Sequence, residues 1–473
     1  MRASFELPRP PLAEARGARA GLLAAADWAT ERLNPLALAV GAVTALVALL
    51  AAIGADARWV AAIGRALVEG RAVPDFVPYA SAPSEGWPNV PALAELVFHA
   101  LFAFGDRGLA ALHLVVVAAA LIVLSADMRR GGATRAGAAL IVLAFAVGAA
   151  QALVVVRLQT FSLLLFPLLA ALLRAETRSP SRRIWLVLPL LALWSNLHGA
   201  ALVGLAVTGA YLVFERLRRD PVRAVAVGVA APLALCATPV LWRTPEYYLG
   251  VLENEAARRG AGMWASLSPS SAFDLVFVAV AVAFLAVAVR ARPTRWELVA
   301  MAGIALMTVQ TARSGVWLLM LAAVPAARGL RLAESRVRLR VAAPLALLLV
   351  CGTAFAVARG PAGFDTDRAV AEAVRQARGT PILADPALAE QVALADGSVW
   401  IANPIDAFRP ADQRLYLDWL EGRPLGDAAL EHAPRVVLVQ DGDPADDRLA
   451  SNPAFRASFR AGGAKLYVRR NRR

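Results

Sequence analysis

The sequence is poor in the residues from which soluble proteins build charged surfaces and disulfide frameworks. Only 18% of its 473 residues are charged, 59% are hydrophobic, and the mean hydropathy is +0.56. Its two cysteines, Cys236 and Cys351, both lie within apolar runs, and Lys465 is the single lysine. Two such cysteines, with no other ligands nearby, make neither a disulfide framework nor a metal site. The low charge excludes an ordinary soluble globular protein of this length.

Long uncharged runs are the main feature that the sequence does have. Stretches of about 18 residues or more without charge are typical of helices that span a bilayer. We therefore predict a mostly α-helical, polytopic membrane protein with about 11 transmembrane helices. The predicted spans are 34–55, 107–126, 136–155, 158–174, 184–197, 199–215, 222–239, 272–290, 295–311, 313–329 and 340–358. The stretch 91–104 is too short and too polar to span, and it predicts a half-buried helix on the outer face.

The distribution of arginine predicts the orientation. The net charge is +13, but the basic residues lie between apolar runs rather than on one face that nucleic acid would bind. Arginines concentrate in the tail 1–33 and in alternate loops, as the positive-inside rule expects for cytoplasmic segments. The tail lacks the apolar core of a secretory signal. We predict a bacterial cytoplasmic membrane protein with a cytoplasmic N-terminus.

One apolar run, 184–215, is too long for a single span. As one helix it would extend roughly 48 Å, against a hydrocarbon core of about 30 Å. Arg183 precedes the run and Arg216 follows it, so both ends are predicted to lie on the inner side. The run therefore predicts a helical hairpin whose outer turn contains Asn196 and His198.

The composition changes near the end of the last span. Residues 359–473 alternate helical stretches with short strands (TPILAD, SVWIAN, RVVLVQDG and AKLYVRR), which predicts a small C-terminal α/β domain outside the cytoplasm. The predicted organisation is thus a tail at 1–33, a transmembrane domain at 34–358 with outer loops 56–106 and 240–271, and the α/β domain.

Polar residues from distant parts of the chain are predicted to gather on the outer face. The principal candidates are Asp56, Trp59, Asp75, Arg157, Asn196, His198, Tyr247 and Arg313. Each has a structural alternative, because arginines snorkel from helix ends, aromatic residues form interfacial belts and a histidine satisfies a turn carbonyl. Taken together, the arginines suit a lipid-phosphate head group, a carboxylate suits a general base, and aromatic rings suit a sugar or a polyprenyl chain.

A series of motifs occurs in a recognisable order. It comprises DARWVAAIGRALVEGRAVPDF from Asp56, PALAELVFHAL from Pro91, RLQTFSLLLF from Arg157, WSNLHG from Trp194, TPVLWRTPEYYL from Thr238 and QTARSGVWLLMLAAVPA from Gln310. This series resembles bacterial GT-C glycosyltransferases, which use polyprenyl-phosphate sugars outside the cytoplasmic membrane. The resemblance covers about 34–330 and extends more weakly over the C-terminal region.

The resemblance implies roles for particular residues. The first-loop acid of that superfamily corresponds to Asp56, with Asp75 as a second acid, and lipid-phosphate binding corresponds to Arg157 and Arg313. The sequence departs from the pattern because Asp56 is followed by Ala-Arg-Trp-Val rather than by an aromatic-His continuation. Another departure is the segment NPIDAF, which begins at Asn403 where relatives have Asp-Gly-Arg.

The expected function is transfer of a sugar from a polyprenyl-phosphate donor to an envelope glycan, lipid or protein at the outer face. Asp56 is expected to act as general base, while His198 and Asn196 orient the donor and Trp59 and Tyr247 line its path. The alternatives are a transporter or flippase for lipid-linked glycans and an envelope scaffold. The resemblance leaves a divalent metal open, and no ligand spacing in the sequence requires one.

Overall fold

The computed structural model describes residues 34–330, 337–359, 367–433 and 435–470, so the predicted tail 1–33 lies outside the described residues. The first part of the chain is helical, with two very short strands. Its elements, in order, are α1 (Pro35–Leu50), β1 (Ala52–Ile53), α2 (Ala57–Gly70), α3 (Ala92–Phe102), α4 (Asp106–Arg130), α5 (Arg135–Gly148), α6 (Ala150–Val154), β2 (Val155–Val156), α7 (Thr160–Arg178), α8 (Val187–Ser195), α9 (Ala201–Tyr211), α10 (Pro221–Leu235), α11 (Thr244–Glu253), α12 (Glu255–Arg259), α13 (Ala272–Arg290), α14 (Arg295–Gln310), α15 (Gly315–Gly329) and α16 (Val337–Arg359).

Side-chain caps determine where several of these helices begin. Asn34 accepts a hydrogen bond from the backbone N–H of Leu36 at the start of α1, and Thr134 accepts one from Gly137 at the start of α5. At α14, Glu297 accepts from the Thr294 backbone, which completes a capping box. These caps satisfy backbone donors that the first helical turn leaves unpaired.

Four helices within the described residues are long and apolar enough to cross a membrane: α4, α7, α13 and the segment Val341–Ala358 of α16. The predicted topology of about 11 spans stays a prediction. Two predicted spans differ from the helices found. The span 34–55 ends as a helix at Leu50, and 136–155 divides into α5, α6 and β2. In both cases the end of the apolar run forms a strand instead.

The predicted hairpin is present. Helix α8 ends at Ser195, the chain turns through 196–200, and α9 starts at Ala201. Close packing holds the two arms together, because a Cβ added to Gly204 would lie 2.6 Å from the Trp194 ring. Glycine at this position therefore lets α9 approach α8.

The helices pack around one large hydrophobic core, while other apolar side chains face outward. Helix α15 is buried along nearly its whole length. On α13, by contrast, Phe273, Leu275, Val282 and Val289 are more than half exposed. The two charged residues of this helix, Asp274 and Arg290, lie in the first and last turns, so the exposed apolar surface between them is suited to contact with lipid tails.

The C-terminal part contains a four-stranded sheet with helices. Its elements are α17 (Asp367–Ala377), β3 (Ile382–Ala384), α18 (Pro386–Leu394), α19 (Pro410–Leu420), β4 (Val436–Gln440), α20 (Pro444–Ala450), β5 (Phe455–Ala461) and β6 (Ala464–Arg469). The strand order is β3-β4-β6-β5, with β3 and β4 parallel and the other two pairs antiparallel. The turn between β5 and β6 places Gly462 and Gly463 at positive φ, a backbone conformation that glycine adopts without strain.

Two strand predictions in this part were incomplete. The predicted strand SVWIAN forms only isolated bridges through Val399, to Ala80 and to Ile382, and β5 was not predicted. The burial pattern explains why β5 was not predicted, because Phe455 is buried while the later residues of β5 are exposed or half-buried. A strand with so few apolar residues gives little hydrophobic alternation to read.

A second hydrophobic core joins the predicted first outer loop to the C-terminal sheet. Trp59 and Ile63 of α2 and Trp87 share this core with Trp400 and the residues of β4. The Ala80 bridge to Val399 extends the contact through the backbone. The segment after α1 therefore packs with the C-terminal part as well as with the helices.

Candidate functional site

A short pair of parallel strands brings two predicted site residues together. Ile53 of β1 pairs with Val156 of β2, and the Gly54 N–H donates to the Val156 carbonyl at 2.8 Å. A Cβ on Gly54 would lie 2.9 Å from a Val155 side-chain carbon, so only glycine fits without rearrangement. Asp56 and Arg157 each follow one of these strands. They therefore occupy the same end of the pair.

The carboxylate of Asp56 accepts hydrogen bonds from the backbone, including that of Leu158, but one of its oxygens has no partner within the described chain. Asp56 is the N-cap residue of α2, yet its side chain makes no capping hydrogen bond. Its Oδ1 is buried and has no hydrogen-bond partner among the described residues. Burial raises the pKa of Asp56 to about 6, and the positive charges of Arg157 and Arg313 oppose that rise. A carboxylate with such a pKa is suited to accept a proton near neutral pH.

Arg157 and Arg313 contact two neighbouring residues, Met263 and Trp264, and have no acidic partner among the described residues. Arg157 contacts the sulfur of Met263, and the Arg313 guanidinium lies 3.8 Å from the centre of the Trp264 ring. Neither arginine is within 4.0 Å of a carboxylate oxygen of a described residue, and the Arg157 Nε is buried without a partner. Burial, followed by repulsion from Arg157, lowers the pKa of Arg313 to about 10. Two neighbouring guanidinium groups without counterions favour an anionic ligand.

His198 lies beside these arginines in the turn of the hairpin. Its Nδ1 accepts from the Ala200 N–H at 3.2 Å and is 2.7 Å from the Ser162 hydroxyl. Ser162 itself accepts a hydrogen bond from the indole of Trp194 at 2.7 Å, so its hydroxyl proton is directed to the histidine. Burial and the charges of Arg313 and Arg157 lower the pKa of His198 to about 3. This network assigns a neutral ring that carries its proton on Nε2.

Ser162 was missed by the sequence analysis, although it lies in the quoted motif RLQTFSLLLF. A serine inside an apolar helix is usually bonded to its own backbone, and nothing in its spacing marks it as a partner of the histidine. The packing of α7 against α8 creates the contact.

The two other predicted binding residues near the turn differ in their surroundings. The side-chain amide of Asn196 donates to the carbonyls of Ala192 and Ala237, at 2.8 and 2.7 Å. Both of its hydrogens therefore hold the turn in place. Tyr247 of α11 presents its hydroxyl to Gly199, 3.1 Å from where a Cβ would be. Burial, then the charge of Asp406, raises the pKa of Tyr247 well above its ordinary value.

The structure does not bring Trp59 and Asp75 to this cluster. Trp59 is only 2% exposed and packs in the second hydrophobic core, so the predicted contact of its ring with substrate is not supported. Asp75 lies on an exposed loop and makes no hydrogen bond or ion pair with another described residue. Asp56, Arg157, His198 and Arg313 form the outer cluster, named for the face on which the sequence predicts them. Within the described chain, no group of three or more His, Cys, Asp or Glu side chains is placed to hold a metal ion.

The fold has counterparts among solved structures. No family model matches this sequence, and no curated protein matches it. ArnT from Cupriavidus metallidurans in the apo state matches with a TM-score of 0.56 and 15% identity, over 94% of this chain and 98% of that one. ArnT bound to undecaprenyl phosphate matches with a TM-score of 0.54 and 13% identity, over 93% and 98% of the two chains.

A second counterpart is the arabinofuranosyltransferase AftD from Mycobacteria. It matches with a TM-score of 0.51 and 15% identity over 92% of this chain, which spans only 41% of AftD. At these identities the likeness shows a shared fold. The fold implied by the resemblance to GT-C glycosyltransferases is therefore confirmed: the chain has the fold of ArnT over nearly its whole length, and the fold of part of AftD.

Proposed function

We propose that the protein is an integral membrane glycosyltransferase that moves a sugar from a polyprenyl-phosphate donor to an envelope acceptor. The reaction would take place on the outer face of the bacterial cytoplasmic membrane, with the N-terminus inside and the C-terminal α/β part outside. The observation that carries the proposal is the outer cluster, in which the Asp56 carboxylate, with one unpaired oxygen, lies beside two arginines that have no acidic partner among the described residues. The shared fold and the undecaprenyl phosphate bound to ArnT support the same donor class.

The charges of the cluster suit a lipid-linked phosphate. With Asp56 ionised, Arg157 and Arg313 leave the cluster with a net positive charge, because His198 is neutral. A donor phosphate accepting hydrogen bonds from both guanidinium groups would balance that charge. The arginines would also stabilise the additional negative charge that develops on the phosphate as the glycosidic bond breaks.

Asp56 would act as the general base. An acceptor hydroxyl oxygen attacks the anomeric carbon while Asp56 takes the hydroxyl proton, and the carbon–oxygen bond to phosphate breaks. The electron pair of that bond leaves with the polyprenyl phosphate. Attack opposite the leaving group inverts the anomeric configuration. Because the pKa of Asp56 is about 6, most molecules hold the carboxylate in its basic form at pH 7.

His198 would orient the donor. Its Nδ1 is occupied by Ala200 and Ser162, which leaves the Nε2–H as the remaining donor of the ring. A neutral imidazole donates a hydrogen bond without adding a third positive charge. The Tyr247 hydroxyl, on the other side of Gly199, would contact the sugar.

A transfer assay in membranes tests the proposal. Membranes containing the wild type, Asp56→Ala or the control Glu69→Ala would receive radiolabelled undecaprenyl-phosphate hexose and pentose donors. Glu69 is exposed at the far end of α2 from Asp56. We expect transfer with release of undecaprenyl phosphate by the wild type and the control, and a loss of about 10²- to 10⁴-fold in Asp56→Ala. Equal transfer by all three proteins would remove Asp56 from the mechanism. Donor movement across the membrane without cleavage would favour a flippase.

A further inference from the structure

The helix that follows Asp56 is capped by a residue from the C-terminal part. The first backbone N–H groups of a helix need acceptors, and an aspartate at the N-cap position usually supplies one. Asp56 does not. Instead, Oε2 of Glu390 accepts from the N–H groups of Arg58 at 3.1 Å and Trp59 at 3.3 Å. Glu390 belongs to α18 and is 1% exposed.

The chain is also held on the other side of Asp56. The side-chain amide of Asn403 donates to the carbonyl of Ala55 at 2.9 Å. The Arg58 guanidinium in turn bonds both carboxylate oxygens of Asp106, at 3.0 and 2.6 Å. Ala55 before Asp56, and Arg58 and Trp59 after it, are thus tied to other parts of the molecule.

Helices α2 and α18 each supply hydrogen-bond partners to one end of the other. Arg65 of α2 donates to the carbonyls of Ala393 at 2.9 Å and Leu394 at 3.4 Å, in the last turn of α18. It also forms an ion pair with Asp396 at 3.0 Å. Helix α18 therefore supplies the acceptor for the start of α2, and α2 supplies the donor for the end of α18. Such reciprocal bonds fix the position of one helix along the other.

We propose that Glu390 and Asn403 are positioning residues for Asp56, and that the cap from Glu390 keeps the Asp56 carboxylate available to substrate. Without Glu390, Asp56 at the N-cap position would be placed to accept from the N–H groups of Arg58 and Trp59, the second and third residues of the helix. Asp56 would then turn toward the helix and away from Arg157 and Arg313. Two hydrogen bonds from backbone N–H groups would also stabilise its ionised form. This inference rests on the proposed function only for its catalytic role.

The substitutions Glu390→Ala and Glu390→Gln separate capping from simple packing, because glutamine keeps an oxygen acceptor. In the transfer assay, Glu390→Ala should lower kcat by about tenfold or more and leave the KM for the donor within about twofold. The lower-pH limb of its activity profile should shift, because the new backbone hydrogen bonds lower the pKa of Asp56 while its separation from Arg157 and Arg313 raises it. Glu390→Gln and the control Glu431→Gln, an exposed residue, should retain the wild-type profile. An unchanged profile in Glu390→Ala would overturn the proposal, as would equal losses in the alanine and glutamine variants.

Amide exchange gives a readout that does not depend on transferase activity. Hydrogen–deuterium exchange of the peptide 55–66 should be faster in the double variant Glu390→Ala/Asp56→Ala, which lacks both the native and the substitute acceptor, than in Asp56→Ala, and it should be unchanged in Glu390→Gln. If the wild type transfers no sugar but this pattern holds, the proposed function fails while the cap stands. Equal exchange in Asp56→Ala and in the double variant overturns the cap. Should Glu390→Ala fail to fold, Asn403→Ala replaces it: the partly exposed Asn403 should cost about two- to fivefold in kcat at unchanged donor KM, and an unchanged kcat would contradict its role.

Discussion

Two clusters of arginines and acids, one buried and one half-buried, differ in how completely their groups are paired. In one, every nitrogen of the Arg174 guanidinium has a partner: Glu297 at 2.8 Å, Asp127 at 2.7 Å and the carbonyl of Leu321 at 2.7 Å. In the outer cluster, Arg157 and Arg313 have a sulfur and an aromatic ring beside them, and no carboxylate within ion-pair distance among the described residues. The same residue type is thus satisfied in one place and left open in the other.

The difference separates structural charges from charges prepared for a ligand. Removing a buried charge from water is costly, and a protein recovers that cost only through well-placed partners. In the cluster around Arg174, partners within the chain offset the cost of desolvating the charges. These contacts tie α4, α7, α14 and α15 together. The arginines of the outer cluster have no acidic partner among the described residues, and an anionic ligand would complete that cluster. The account therefore predicts that the two clusters respond to substitution in opposite ways.

Loss of both outer arginines should have the largest effect, and it should be on binding. Arg157→Gln or Arg313→Gln should each weaken undecaprenyl phosphate binding by about 10- to 100-fold, because each removes a charge-assisted hydrogen bond, and the double variant should bind more weakly still. Fluorescence or calorimetric titration in detergent measures this. Arg258→Gln is the matched control, since Arg258 is 61% exposed and pairs with Glu255 at 3.6 Å. Wild-type affinity in the double variant would contradict the comparison.

Arg174→Gln should act on stability instead. It leaves Asp127 and Glu297 as buried acids without their main partner, which costs about 3–5 kcal/mol in comparable buried pairs. We expect a strongly lowered melting temperature in detergent. Arg157→Gln, by contrast, should melt at or above the wild-type temperature. If both variants were equally destabilised, the outer arginines would be structural too.

Asp56→Asn should stabilise the protein at neutral pH. Its folded-state pKa, about 6, is above the ordinary 3.8, so ionised Asp56 disfavours the folded state. The penalty is absent below about pH 4 and complete above about pH 6, where it reaches roughly 3 kcal/mol. Melting temperatures at pH 4 and pH 7.5 should therefore match the wild type at the lower pH and exceed it at the higher. A less stable variant at pH 7.5 would show that Asp56 has a structural role.

The smallest expected effect is on the pH dependence of transfer. The wild-type rate should rise as the pH increases through about 6, because Asp56 must lose its proton to act as a base. Arg157 lowers the pKa of Asp56, so in the Arg157→Gln variant the low-pH limb of the rate profile should move to higher pH. The profile of kcat/KM for the donor measures the shift, because it reports the pKa of the free enzyme. A limb that stays in place would mean that another group titrates.

Sequence reasoning found the outer cluster because the bilayer restricts where polar groups lie. Asp56, Arg157, His198 and Arg313 each follow the end of an apolar run, and the alternation of arginine-rich loops placed them on one side. The structure brings them close enough that Arg157 and Arg313 alter the pKa of both Asp56 and His198. The predicted membrane topology was the reason to expect that residues far apart in the chain lie close together, and that topology itself stays a prediction.

The partners of these residues could not be predicted in the same way. Glu390 caps a helix more than 300 positions earlier in the sequence, and neither periodicity nor composition encodes such a contact. The strand pair before Asp56 and Arg157 has only two residues in each strand, too few for a pattern. For Trp59 a signal was present: Trp59 and Ile63 share one face of α2, a spacing typical of a buried helix face.

A cryo-EM map of the protein with undecaprenyl phosphate would show directly whether Arg157 and Arg313 bind the phosphate beside Asp56. We expect phosphate density within hydrogen-bond distance of both Arg157 and Arg313, with the Asp56 carboxylate facing the same space. Phosphate density away from these arginines, with the two guanidinium groups still turned toward Met263 and Trp264, would contradict it.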